Sequence, residues 1–169
     1  MQKSLLKEIV LEQEKDRRGS DLGVPRAALK DALCHATLPH AVVVSGVRRC
    51  GKSTLLNQVI GGLYKNGVYY LNFEDERLID FSVENFNDLY EVFLELYGEK
   101  KVFFFDEIQN VPQWEVFVRR MQGKGCKFFI TGSNASLLSR ELGTKLSGRN
   151  ISIELFPFSF KEFLGFKGF

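Results

Sequence analysis

Gly46-Val47-Arg48-Arg49-Cys50-Gly51-Lys52-Ser53 combines the residue types that grip a phosphate chain, in the spacing GxxxxGK[ST]. The glycines let successive backbone N–H groups turn inward around phosphate oxygens, and a helix N-terminus behind them favours the anion. Lys52 supplies a point charge for the β- and γ-phosphates, and Ser53 offers a hydroxyl to Mg2+. Val47, Arg48, Arg49 and Cys50 within the loop, and Thr54 just after it, complete the expected nucleotide contacts. Arg48 and Arg49 have a second reading as solvated loop charges, and Cys50 beside phosphate suggests an oxidation-sensitive thiol. The alternative for the whole segment is a glycine turn that merely joins two elements. Context argues against it, because the apolar β-branched run Ala41–Val44 precedes the motif and helical spacing of Leu55, Leu56, Val59, Ile60 and Leu63 follows.

A second constellation begins where the apolar run Val102-Phe103-Phe104-Phe105 meets Asp106-Glu107. A buried strand that ends in an acid delivers a carboxylate to the carboxyl edge of a parallel sheet, where such sheets bind ligands. Asp106 would there hold the Mg2+ coordination shell, and Glu107 would be the general base that polarises an attacking water. Alone this pattern is weak, since strands often end in charge; paired with the phosphate loop it is strong. Thr131-Gly132-Ser133-Asn134 closes a further apolar run with hydroxyl and amide groups at the same expected edge. Ser133 and Asn134 could contact the γ-phosphate or the water, or simply form a turn and helix cap. Arg149, after Leu146-Ser147-Gly148, is the candidate charge stabiliser of the transition state, with Arg140 a weaker competitor.

The surrounding pattern supplies elements to position these groups. Helices are expected over 4–17, from Pro25 to about Ala36, over Lys52–Tyr64, after Ser82 through Tyr97, and from Pro112 to Gly123. Strands are expected at 41–44, 68–73, 101–105, 126–130 and 151–155. Such alternation predicts a parallel sheet with helices on both faces. Ser159-Phe160-Lys161-Glu162 is a capping box that opens a last helix carrying Phe163, Leu164 and Phe166. We therefore expect an N-terminal helical segment at 1–36, a core at 37–156, and at 157–169 the start of a helix whose apolar surface expects a cover. That cover would be a further C-terminal domain or another copy in a homo-oligomer.

Composition narrows the remaining possibilities. With 44% hydrophobic and 26% charged residues, 169 residues suffice for one globular domain. Most of the 16 Phe fall in apolar strands or at helical spacing and read as core. A net charge of +2 makes no global case for nucleic acid or a membrane surface. Cys34, Cys50 and Cys126 are an odd, scattered set without ligand spacing, and His35 and His40 read as loop or helix-end residues. No leader-like or long apolar run is present, which points to the cytoplasm.

Taken together, GVRRCGKSTLL, LNFEDERL, FFFDEIQNVPQWE, ITGSNASLLSRELGTKLSGR and LFPFSFKEFL resemble the prokaryotic AAA+-type P-loop ATPases, a group of ATP-binding proteins. The resemblance covers roughly residues 20–169. It implies a three-layer α/β/α fold with a five-stranded parallel sheet in the order 5-1-4-3-2. It also implies Asp106 and Glu107 as the Walker B acids, Thr131–Asn134 as a sensor region and Arg149 in an arginine-finger or sensor position. ATP or ADP with Mg2+ would be the ligand. Family members usually continue into a helical lid and a further domain. For Glu74–Leu78 we expect a solvated loop with a structural Arg77 salt bridge. The leading expectation is Mg-dependent ATP hydrolysis acting as a switch or motor on a client. A nucleotide-dependent binding module with little turnover and a P-loop kinase remain alternatives, the latter without a clear acceptor site.

Overall fold

The structure, a computed structural model, describes residues 1–65, 67–133, 146 and 148–168. Its centre is a five-stranded sheet of β1 (Ala41–Ser45), β2 (Tyr69–Asn72), β3 (Val102–Asp106), β4 (Lys127–Gly132) and β5 (Asn150–Glu154). All neighbouring strands are parallel, in the order β2-β3-β4-β1-β5. Read from the opposite edge this is 5-1-4-3-2, the order the resemblance implies.

Why the central strands are continuously apolar follows from their two covered faces. On one face Val43, Phe103, Phe105, Phe128 and Ile130 meet α4 (Phe86–Tyr97) and α5 (Trp114–Gln122), through Phe86, Leu89, Phe93, Trp114 and Phe117. On the other, Val42, Val44, Phe104 and Phe129 meet α2 (Ala28–Cys34) and α3 (Lys52–Val59). The β3–β4 register sets Phe103 opposite Phe128 and Phe104 opposite Phe129. Their rings therefore stack in pairs, with centroids 4.8 and 4.6 Å apart, one pair on each face. Each such buried ring is worth about 2 kcal/mol from burial alone. Helix α1 (Lys3–Gly19) lies along the β2 edge, and its Leu6, Ile9 and Val10 share the core of the α4 face.

Several boundaries differ from expectation for local reasons. The helix after the phosphate loop is α-helical only to Val59; Ile60–Tyr64 widens into a π turn where Gly61 and Gly62, poor helix formers, fall together. Pro25 lies outside α2, which starts at Ala28. Strand β3 extends to Asp106 and β4 to Gly132, which carries the polar residues right to the sheet edge. Ser82 caps the chain as expected, but through a short 3-10 turn at Val83–Asn85 that precedes α4. Arg77 makes the expected structural pairs, with Asp75 and Glu12.

The expected capping box at Ser159 and Glu162 opens α6 (Phe160–Lys167). This helix buries none of its residues fully, and Phe156, Phe158, Phe160, Phe163 and Phe166 are exposed, so the core reading holds for the strand phenylalanines and not for these. Among the described residues no helix is long and apolar enough to cross a membrane.

Candidate functional site

Strand β1 delivers the chain to the carboxyl edge at Ser45, and the loop that follows turns on left-handed backbone at Arg49 (φ 64°) and Gly51 (φ 97°). A side chain at Gly46 would strike the Leu155 carbonyl oxygen at 2.1 Å, so the close approach of β5 demands glycine there. At Gly51 both the positive φ and the Arg26 guanidinium, 2.8 Å from where a Cβ would sit, do the same. The loop closes onto α3, whose first residue is Lys52.

Lys52 is 4% exposed. Its Nζ donates to the carbonyls of Gly46 (3.2 Å) and Val47 (3.1 Å) and faces Glu107 Oε1 at 3.4 Å. A cavity of about 240 Å3 opens beside it, lined by the loop residues Arg48, Arg49 and Gly51, by Ser53 and Thr54 on α3, and by Glu74 and Glu107. Val47 is exposed, Arg48 reaches outward to pair with Glu74, and Cys50 is buried with its sulfur against Gly46. The oxidation-sensitive thiol suggested for Cys50 is thus corrected: packing under the loop shields it.

Asp106 and Glu107 meet the loop from β3. Asp106 is fully buried, and its Oδ1 accepts from the Thr131 hydroxyl. Burial pushes its carboxyl above the usual carboxylate range, against the Ser53 and Thr131 hydroxyls that hold it down. Its second oxygen, Oδ2, is buried without a hydrogen-bond partner among the described residues. A partnerless buried carboxylate oxygen beside a serine hydroxyl is a hard-oxygen donor set, and it fits Mg2+ held jointly with substrate phosphates. No cluster of three or more His, Cys, Asp or Glu suited to a metal occurs among the described residues.

Glu107 adopts left-handed backbone (φ 51°), which turns its side chain back over the edge. Its Oε2 accepts from Gln109 Nε2 (2.6 Å), the Ser133 hydroxyl (2.8 Å) and the Ser133 N–H (3.1 Å). Burial would raise this carboxyl, but the Gln109 and Ser133 hydrogen bonds and the Lys52 charge outweigh it and hold Glu107 below the usual range. Thr131 bridges the two acids, donating to Asp106 while accepting from the Glu107 N–H at 3.0 Å.

The fold thus brings Lys52, Ser53, Asp106, Glu107, Thr131 and Ser133 to one edge. It does not bring Arg149 there. Register pairs Ala41 with Asn150, so the residue before β5 sits at the amino edge, where the Arg149 carbonyl accepts from the Ala41 N–H (2.9 Å) and Gln122 (3.0 Å). One five-residue strand, roughly 16 Å at about 3.3 Å per residue, separates it from the phosphate loop of its own chain. A charge-stabilising role within one chain is corrected on that ground. Asn134 and Arg140 lie outside the described residues. Sequence reasoning missed Gln109 and Arg26. Gln109 had no signal beyond lying two residues after Glu107, and Arg26 none at all.

Comparison with known proteins adds a family to this geometry. The AAA domain family matches residues 39–164. An uncharacterized protein of Methanocaldococcus jannaschii is 48% identical over 127 residues, covering 75% of this chain and 29% of that protein. One from Haemophilus influenzae is 43% identical over 129 residues, covering 72% and 32%. The chain therefore spans less than a third of the length of these curated relatives. Among solved structures, domain III of the Thermotoga maritima replication initiation protein DnaA superposes with a TM-score of 0.55 at 19% identity, covering 86% of this chain and 69% of that one. The Walker-type ATPase of Pyrococcus abyssi gives 0.54 at 18% identity, covering 85% and 56%. At such identities the likeness is one of fold.

Proposed function

The chain belongs to the AAA domain family, and from that premise we propose that it binds ATP with Mg2+ and hydrolyses it to ADP and phosphate, as a switch or motor for a client. One observation carries the reading: the Glu107 carboxylate is held 3.4 Å from the Lys52 ammonium, across the mouth of the loop cavity. A carboxylate so placed faces the terminal phosphate of any chain that Lys52 grips, where a hydrolytic water must attack.

Loop N–H groups and Lys52 take the β- and γ-phosphates, and Lys52 exchanges its Glu107 and carbonyl contacts for phosphate oxygens. Ser53 and Asp106 would hold Mg2+, which would supply charge neutralisation at the phosphates. Glu107, oriented by Gln109 and Ser133, accepts the proton of the attacking water. Thr131 ties the two acids together so that neither shifts alone. Val47, Arg48, Arg49, Cys50, Gly51 and Thr54 line the nucleotide, largely through the backbone. Arg149, at the opposite edge, serves in this reading only from a neighbouring copy in a homo-oligomer. Residues 37–156 form the catalytic module, flanked by 1–36 and 157–169, and the scattered cysteines suit a reducing cytoplasm.

A second reading, nucleotide-dependent binding with little turnover, is favoured by one feature: three hydrogen bonds and an ammonium already occupy the Glu107 carboxylate. Steady-state phosphate release from Mg-ATP, by wild type and Glu107→Gln over a protein-concentration series, separates the two. Hydrolysis predicts release by wild type and a fall of about 10²- to 10⁴-fold in the variant. Tight ATP binding without release selects the second reading.

A further inference from the structure

Arg26 lies in the segment between α1 and α2, is 5% exposed, and has no part in the chemistry above. Each of its guanidinium nitrogens is engaged. Nη1 donates to the Cys50 carbonyl (2.5 Å), Nη2 to the Phe156 carbonyl (2.6 Å) just after β5, and Nε to Glu162 Oε1 (3.0 Å) on α6. The ring of Phe158 covers it at 4.9 Å. Two parts of the chain far from it in sequence, the phosphate loop and the 156–162 stretch, converge on this side chain.

The Cys50 carbonyl is the informative contact. It belongs to the same planar trans peptide as the Gly51 N–H, so the two groups point in opposite directions. By drawing that carbonyl outward beneath the loop, Arg26 turns the Gly51 N–H toward the hollow where phosphate oxygens would lie. The same guanidinium fills the space a Gly51 side chain would need. Arg26 thus sets the orientation of one loop peptide from behind without approaching the ligand.

Glu162 in turn sets Arg26. Its Oε1 also accepts from the Ala27 N–H (2.9 Å), and its Oε2 accepts from the Ser159 N–H (2.8 Å) and hydroxyl (2.9 Å). The carboxylate is therefore fixed by the first turn of α6 and presented to the arginine as part of that helix. The ion pair is buried on both sides, with side chains 4% and 12% exposed. Loss of either partner leaves the other charge uncompensated, so the pair is maintained or broken as a unit.

We infer that Arg26 is a positioning residue for the phosphate loop and that Glu162 couples α6 to that loop through it. Displacement of α6, whose outer surface is apolar and exposed, changes the loop peptide at Cys50–Gly51 and with it the grip on phosphate. The affinity part of this inference rests on the nucleotide reading above.

The test compares Glu162→Gln, Arg26→Lys and the double variant by two measurements. Amide hydrogen exchange of residues 47–54, taken without nucleotide, should quicken in all three while β3 and β4 stay protected. Equilibrium binding of a fluorescent ATP analogue with Mg2+ should weaken about tenfold in each single variant, and no further in the double, because one path carries both effects. Wild type that binds no analogue sinks the nucleotide reading alone; exchange at the loop still decides the coupling. Unchanged exchange and affinity alongside a lowered thermal midpoint would make the pair a mere tether. Additive losses in the double variant would equally overturn the relay.

Discussion

Two buried lysines stand at opposite edges of the same sheet. Lys127 opens β4 at the amino edge, 8% exposed, and its Nζ donates to the carbonyls of His35 (2.6 Å), Leu38 (2.9 Å) and His40 (2.6 Å) above the Phe129 ring. Its three donors meet three backbone acceptors at short range, which pins the 35–40 loop to the sheet. Lys52 opens α3 at the carboxyl edge, 4% exposed, with contacts of 3.1–3.4 Å, one of them to a side-chain carboxylate. Each lysine borders a cavity, of about 240 Å3 at Lys52 and about 270 Å3 at Lys127, so the contrast lies in how each ammonium is held. A saturated ammonium held by immobile carbonyls is structural. One held at longer range, with a side-chain carboxylate among its partners, can trade them for an anion.

The sharpest break in this comparison comes from removing the carboxyl-edge lysine. Lys52→Ala should weaken ATP binding on the order of a hundredfold by calorimetry, as the phosphate loses a charge-assisted donor, while the fold persists. Retained micromolar affinity would mean that Lys52 is as structural as its counterpart. Lys127→Met should do the reverse. It strands three carbonyls and should cost roughly 1–3 kcal/mol in denaturant unfolding, with ATP affinity unchanged.

Gln109→Ala sharpens the contrast within the functional edge. It removes the 2.6 Å hydrogen bond that aims Glu107, so kcat should fall about tenfold with KM nearly constant, and Gln109→Asn should not restore it if reach is what matters. A KM effect alone would instead place Gln109 in substrate binding.

The smallest expected effect lies at the C-terminal helix. Burial alone would raise the Glu162 carboxyl, but the Ala27 and Ser159 N–H groups, Arg26 and the Ser159 hydroxyl hold it at about 2, against 4.5 for the free group. A carboxyl held down in the folded state adds stability that is complete above 4.5 and is lost as pH falls toward 2. Glu162→Gln should therefore show a shallower loss of unfolding free energy over that window than wild type. Parallel acid titrations would show that the helix contact does not persist in solution.

How much of this could be read from the chain varies with sequence distance. The phosphate loop was legible because Gly46, Gly51, Lys52 and Ser53 act within one turn of chain. Asp106 and Glu107 were legible because an apolar run ending in acid marks a strand and its edge together. Arg26 was not, since its contacts reach 24, 130 and 136 residues. Gln109 was not either, although its partner Glu107 is only two residues away, because an amide at that spacing follows no pattern that marks it. Arg149 was misplaced because the β1–β5 register, not the residue's type, decides which edge it occupies.

The sequence by itself determined the local chemistry: glycines where left-handed or crowded backbone is required, a lysine and serine at a helix start, acids at a strand end. Those outcomes depend on backbone sterics and hydrophobic periodicity, which act over a few residues. Only the tertiary structure decided which charges meet, which lysine is saturated by short backbone contacts and which faces a carboxylate. Such pairings depend on strand order and register, and these arise from the packing of both faces of the sheet at once.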